Sequence, residues 1–165
     1  MLPGAHIIVA NGFSLNLTNT PIGGLILGIV AHHICDFLPH LDLNILENYK
    51  EFTIKQVPKN IKIFLTIELL AGFLFSFIYF INIFKKPFLL FLFISIGAIL
   101  PDIISILFRP YANKYGFLRR YINFHDKFQF VLKNKTPKKL IYIGIIEIFV
   151  IILSILFFNL SNLLI

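Results

Sequence analysis

Five histidines and eight carboxylates are spread along this 165-residue chain, and several stand at spacings that suit chemistry. His32 and Asp36 are four apart, so one helix face carries both. A histidine and a carboxylate at that interval are a common way to hold a divalent metal from a helix. The same pair also serves as a hydrogen-bonded core pair, so the spacing alone leaves both readings open. Pro39 ends such a helix, which lets His40 and Asp42 fold back toward the same point. His33 stands about 100° round from His32 and is the weaker partner. Asp102 follows a Leu-Pro step, His6 lies near the start, and His125 sits beside Asp126 in a basic stretch. Glu68 and Glu147 each interrupt an apolar run. Cys35 is the single cysteine, so neither an intramolecular disulfide nor a cysteine zinc knuckle can form. No phosphate-binding glycine loop, no nucleophile elbow and no H-E-x-x-H occurs, and no serine stands near the histidines. Metal chemistry is what remains for an enzyme.

The elements that must position these residues follow from composition. Apolar types make up 58% of the chain and charged types 14%, against about 25% charged in soluble domains. A soluble enzyme and a disordered chain are both excluded on that ground. Stretches 61–84, 87–108 and 140–160 each reach the roughly 20 residues that cross ~30 Å of hydrocarbon. A fourth span, 21–38, is apolar to Val30 and then polar. A fifth segment, 3–17, is short and broken by Asn11, Ser14 and Asn16, which leaves a tilted span, a re-entrant helix or an interfacial one open. Thr20-Pro21 marks a turn and a helix start. The reading is one domain, 1–165, all-α: a polytopic membrane helix bundle of four spans plus a short N-terminal helix, with inner loops 39–60 and 109–139. No cleaved signal peptide is expected, since no basic n-region precedes the first apolar run.

The bases orient the bundle. Loops 39–60 and 109–139, with Lys62 just beyond the first, hold thirteen of the fifteen lysines and arginines, and Lys85 and Lys86 hold the others. The thirteen fall on one side if the spans alternate, so that side is expected to be cytoplasmic and the C-terminus outside. On this topology His32, Asp36, His40, Asp42, Glu68, Asp102, His125 and Glu147 all lie at or near the inner end, and His6 joins them if the first helix crosses. A carboxylate at mid-membrane depth costs about 2.5–3.5 kcal/mol on insertion scales, so these groups are paired or functional. The shared depth of His6, His32, Asp36, His40, Asp102 and His125 points to a metal or polar site. Glu68 reads equally as an outer carboxylate, a ligand or a paired acid, Glu147 as structural, and Asp126 as exposed. Gly72 and Gly97 stand near the acids, where small residues let helices approach. The run 133–139 reads as an anchor on anionic lipid headgroups rather than a nucleic-acid site. The second and fourth spans carry Leu-Pro-polar and the third and fifth carry Glu seven residues in, which fits two similar hairpins.

Gly4-Ala-His6, Gly28-Ile-Val-Ala-His32-His-Ile-Cys-Asp36 and Gly97-Ala-Ile-Leu-Pro-Asp102 together resemble the motifs of the membrane-bound metal-dependent hydrolase family (YdjM-like). The extended run to His40 and Asp42, with Asn123-Phe-His-Asp126, is similar to small polytopic membrane proteins related to that group. The resemblance implies His6, His32, Asp36 and Asp102 as metal-site residues and adds His40 and His125. Ala31 stands where the family has serine, and Ile103-Ile104 follow Asp102 where it has a second aspartate two residues on. The expectation is a metal-dependent hydrolase at the cytoplasmic face acting on a lipid ester or phosphoester. Zinc would be the metal, with manganese or iron as alternatives, and Asp42 or Glu68 the general base. A small ion- or proton-coupled transporter and a non-enzymatic structural membrane module are the other classes considered. Oligomeric state is left open.

Overall fold

The computed structural model describes residues 1–39, 58–128 and 137–163. Among them the chain is all-α, with helices α1 (Pro3–Ser14), α2 (Pro21–Phe37), α3 (Lys59–Ser76), α4 (Phe88–Phe108), α5 (Gly116–Phe128) and α6 (Pro137–Leu163). α3 runs on as a π-helical turn, Phe77–Ile83, and α4 as a 3-10 turn, Arg109–Tyr111. Three helical stretches, Lys59–Ile83, Phe88–Tyr111 and Ile141–Leu163, are long and apolar enough to cross a membrane. α2 is as apolar but has 17 residues, about 25 Å of helix.

This is a membrane protein, and its helices divide their faces accordingly. On α2 the exposed residues Ile22, Ile26, Val30, Ile34 and Phe37 form one stripe, while Gly24, Gly28, Ala31, His32, Cys35 and Asp36 are buried on the other. α6 likewise exposes Ile141, Ile145, Ile148, Ile152 and Leu156. Intervals of three and four produce such stripes. An apolar stripe this long is stable only against hydrocarbon or protein.

α1 is the hub. It has 12 residues, about 18 Å of helix, and packs against α2, α3, α4 and α6. Segment 3–17, left open as a tilted span, a re-entrant helix or an interfacial one, forms a buried central helix: Ile7, Val9, Ala10 and Asn11 are almost fully covered. A polar residue at such a position must be satisfied internally. Asn11 Nδ2 donates to Ile7 O and to Ser95 Oγ, each at 2.9 Å. Beyond it Asn16 Nδ2 donates to Phe158 O at 3.1 Å, so α1 runs parallel to α6.

α2 and α4 also run side by side in parallel, joined where Gly28 meets Gly97. A Cβ on Gly28 would strike the backbone oxygen of Ile94, and one on Gly97 that of Leu25. The small residues expected to admit close approach do so here, and Gly72 does the same against Gly4. At the end away from the histidines, Phe80, Phe91, Ile94 and Phe158 form a fully buried plug.

Segment 109–139, read as an inner loop, contains α5. It is amphipathic: Leu118, Ile122 and His125, at intervals of four and three, are its buried face. Arg109 clamps this helix to the end of α4, donating from Nη1 to Asp126 Oδ2 at 2.9 Å and from Nη2 to Asp126 Oδ1 at 2.6 Å. Asp126 is exposed, as expected, and is bound to Arg109.

Candidate metal centre

The site forms where α1, α2, α4 and α5 meet. His32 and Asp36 project from the buried face of α2, Asp102 from α4 one turn beyond the glycine crossing, and His125 from α5. His32 Nδ1 lies 2.8 Å from Ala98 O. A carbonyl only accepts, so Nδ1 carries a proton and donates it, and Nε2 is the nitrogen turned to the centre. Nε2 faces Asp36 Oδ2 at 3.0 Å, His125 Nε2 at 3.3 Å and Asp102 Oδ1 at 3.7 Å. His125 Nε2 lies 3.3 Å from Asp102 Oδ1 and 3.8 Å from Asp36 Oδ2. The four ligand atoms all fall within 4.8 Å of one another.

These distances test whether a metal fits. Ligands about 2.0–2.1 Å from a tetrahedral zinc are separated by roughly 3.3–3.4 Å along each edge of the tetrahedron. The five edges above run from 3.0 to 3.8 Å and scatter around that value. Two carboxylates and two imidazoles facing inward repel unless a cation or protons stand between them. Three of the four residues are buried, and the Asp102 side chain is 26% exposed. The group could hold a metal ion, and its donor set is one that zinc accepts.

Two residues support the four. His6, expected as a ligand, lies beside the group: its Nε2 is 3.2 Å from Asp36 Oδ1 and its ring stacks on His32 at 4.3 Å between centroids. Asp36 thus spends one oxygen inward and one on His6, the arrangement of an outer partner orienting a ligand. His125 Nδ1 similarly lies 3.7 Å from Asp126 Oδ1. Burial raises the Asp126 carboxyl, but the His125 ring beside it and the two hydrogen bonds from Arg109 outweigh that and hold it down at about 2. His33 packs edge-on against Phe124 and His125, off the centre. Asp126 and Arg109 were not singled out as site residues. The signal for them was the His125-Asp126 neighbour pair beside an amphipathic period.

The acids in the spans do something else. Glu68, expected as a general base or ligand, accepts from Gly4 N at 2.8 Å and Ala5 N at 3.1 Å. Glu147 accepts from Leu2 N at 3.2 Å. The matching glutamates of α3 and α6 therefore converge on the start of α1. There they satisfy unpaired amides and oppose the positive end of the helix dipole. Each oxygen of Glu68 accepts from one amide of α1, which is the paired-acid form among those open to it. Glu68→Ala should destabilise the protein by about 1.5–3 kcal/mol, the worth of hydrogen bonds to a charged group, with metal content of the folded fraction unchanged. Thermal melting beside metal analysis checks this. His40 and Asp42 lie outside the described residues.

No protein-family model matches the chain, and neither the curated proteins nor the solved structures provide a match.

Proposed function

We propose that the protein is a metal-dependent hydrolase embedded in the membrane, with its centre at the cytoplasmic face and a lipid ester or phosphoester as substrate. The observation that carries this is the convergence of His32, Asp36, Asp102 and His125 within 4.8 Å of one another, with His32 Nδ1 held by Ala98 O. The sidedness rests on Lys59, Lys62, Arg109, Lys114, Arg119, Arg120 and Lys127, which stand on the elements at that end of the bundle. A divalent metal held by these residues supplies Lewis-acid polarisation of the substrate oxygen and activation of water near neutral pH. The chain's own part is positional. His6 fixes Asp36, Ala98 and Asp126 fix the two imidazoles, and the aromatic plug excludes water from the opposite side. Asp102 is the one partly exposed member and so faces the approaching substrate. The plug also counts against a transporter, which needs a polar path through the outer half.

Metal analysis of the purified protein is the test, with hydrolysis of phospholipid vesicles measured before and after chelation. One zinc per chain and activity lost on chelation are expected. Absence of stoichiometric metal under every loading condition sinks the reading.

The affinity should also depend on pH. Burial favours the neutral His125 ring, but the carboxylates of Asp102 and Asp126 outweigh it and hold the imidazole protonated up to about 9. The groups facing it are Asp36, His32 and His33 of α2, Asp102 of α4, and Tyr121 and Asp126 of α5. A ligand must shed its proton before it binds. Apparent zinc affinity should therefore rise about tenfold per pH unit from pH 6 and level off near 9, with one proton released per metal at pH 7. Isothermal titration in buffers of differing ionisation enthalpy measures both.

A further inference from the structure

α3 and α4 touch through their outer ends, where Phe73 and Phe77 pack on Phe91. Nearer the metal centre a cavity of about 180 Å³ lies between them, floored by Ile7 of α1 and walled by Leu69, Phe73 and Ile99. Its one polar side chain is Ser95, whose hydroxyl donates to Phe91 O and accepts from Asn11. The lining thus offers a ligand nothing but hydrocarbon contact. Both walls belong to helices of membrane-spanning length, and exposed Leu70 and Ile96 mark the rim. The medium bordering it is acyl chain.

The helix faces that line the cavity lead toward the centre. Ser95, Ile99 and Asp102 follow one another at intervals of four and three on α4, so the cavity-lining face carries Asp102 one turn farther on. On α3, Lys62, Thr66, Leu69 and Phe73 recur at four, three and four, which puts a cation at the site end of the lining face. An apolar slot thus leads inward to a cation on one wall and the exposed member of the metal centre on the other. We propose that this cleft seats one acyl chain of a membrane phospholipid, with the phosphate end of that lipid held by Lys62. The chemistry done on the lipid rests on the hydrolase reading above; the binding does not.

The chain has no tryptophan, so a single introduced indole reports locally. Leu70→Trp places it at the rim, and Ile148→Trp places it on the exposed face of α6 as a control. Each variant, in uncharged detergent and loaded with zinc, is titrated with phosphatidylglycerol brominated in its acyl chains. Quenching at position 70 should saturate near one lipid per chain, while quenching at 148 should only follow the lipid content of the micelle. Filling the cleft with Leu69→Phe and Ile99→Phe should weaken the saturable phase at least tenfold and leave bound zinc unchanged. Lys62→Gln should weaken the phospholipid severalfold and leave uncharged brominated diacylglycerol unaffected. Non-saturable quenching at both positions, or an unchanged affinity in the filled variant, overturns the proposal. Saturable lipid binding without stoichiometric zinc leaves the cleft standing and overturns the hydrolase reading. Bound zinc with no saturable lipid does the reverse.

Discussion

Asp36→Asn should lower zinc affinity by well over a hundredfold while the helical bundle stays intact. Asp36 spends Oδ2 on the ring nitrogens of His32 and His125 and Oδ1 on His6. The amide keeps the shape but removes the charge and one of the two acceptors. Loss of an outer partner alone typically costs 10–100-fold in metal affinity, and that lower range is expected for His6→Ala. His32→Ala and His125→Ala should match Asp36→Asn, and His33→Ala should have the smallest effect. Competition with a chromophoric chelator gives the ranking. Stability separates this from a purely structural role. Breaking a buried ion pair costs about 3–5 kcal/mol, so a structural Asp36 would make the asparagine variant melt far lower whether or not metal is present. In the metal-free protein Asp36 already faces the protonated His125 and the N-terminal ammonium, so the asparagine variant melts lower there in either case, and the response to zinc is what separates the two roles. If Asp36 is a ligand, added zinc raises the melting temperature of the wild type alone. An Asp36→Asn protein that binds zinc like the wild type ends the metal reading.

The second large effect is expected at Gly97. Added methylenes in a packed interior cost about 1–3 kcal/mol where neighbouring side chains can yield. The neighbour here is the backbone carbonyl of Leu25, with Gly28 against it from the other side. Backbone cannot turn aside, so α2 and α4 must part. Gly97→Val should therefore cost more than about 3 kcal/mol, above the ordinary overpacking range. The same pair of helices carries His32 and Asp36 on one side and Ala98 and Asp102 on the other. Folded material that survives should hold little zinc. Gly116→Ala is the contrast: nothing lies within 4 Å of its added Cβ, and a change of no more than about 0.5 kcal/mol is expected. Folded yield, melting temperature and zinc per chain are read together. A Gly97→Val protein as stable as the wild type would show that the crossing is not tight.

The membrane helices were legible because their signal is local. Twenty apolar residues in a row need no partner to be recognised. α5 was not, because thirteen residues with Arg119, Arg120, Asp126 and Lys127 among them have the composition of a loop. Its apolar positions, Leu118 and Ile122, mean something only once α4 and α2 supply a surface to cover. The gathering of histidines and acids near one end of the bundle also followed from counting along the helices. What each acid does there did not.

The chain by itself determined a polytopic, all-α membrane protein whose polar groups share a depth, because length and hydropathy decide what enters hydrocarbon. It did not determine which atoms meet. Glu68 and His6 look alike as site residues in one dimension, yet one caps α1 and the other braces Asp36. That division depends on the rotation of each helix about its axis and on how close two helices come. Contacts between residues far apart in sequence set both, above all Gly28 against Gly97 and Gly4 against Gly72. Only the tertiary packing decides that His32, Asp36, Asp102 and His125 face one point.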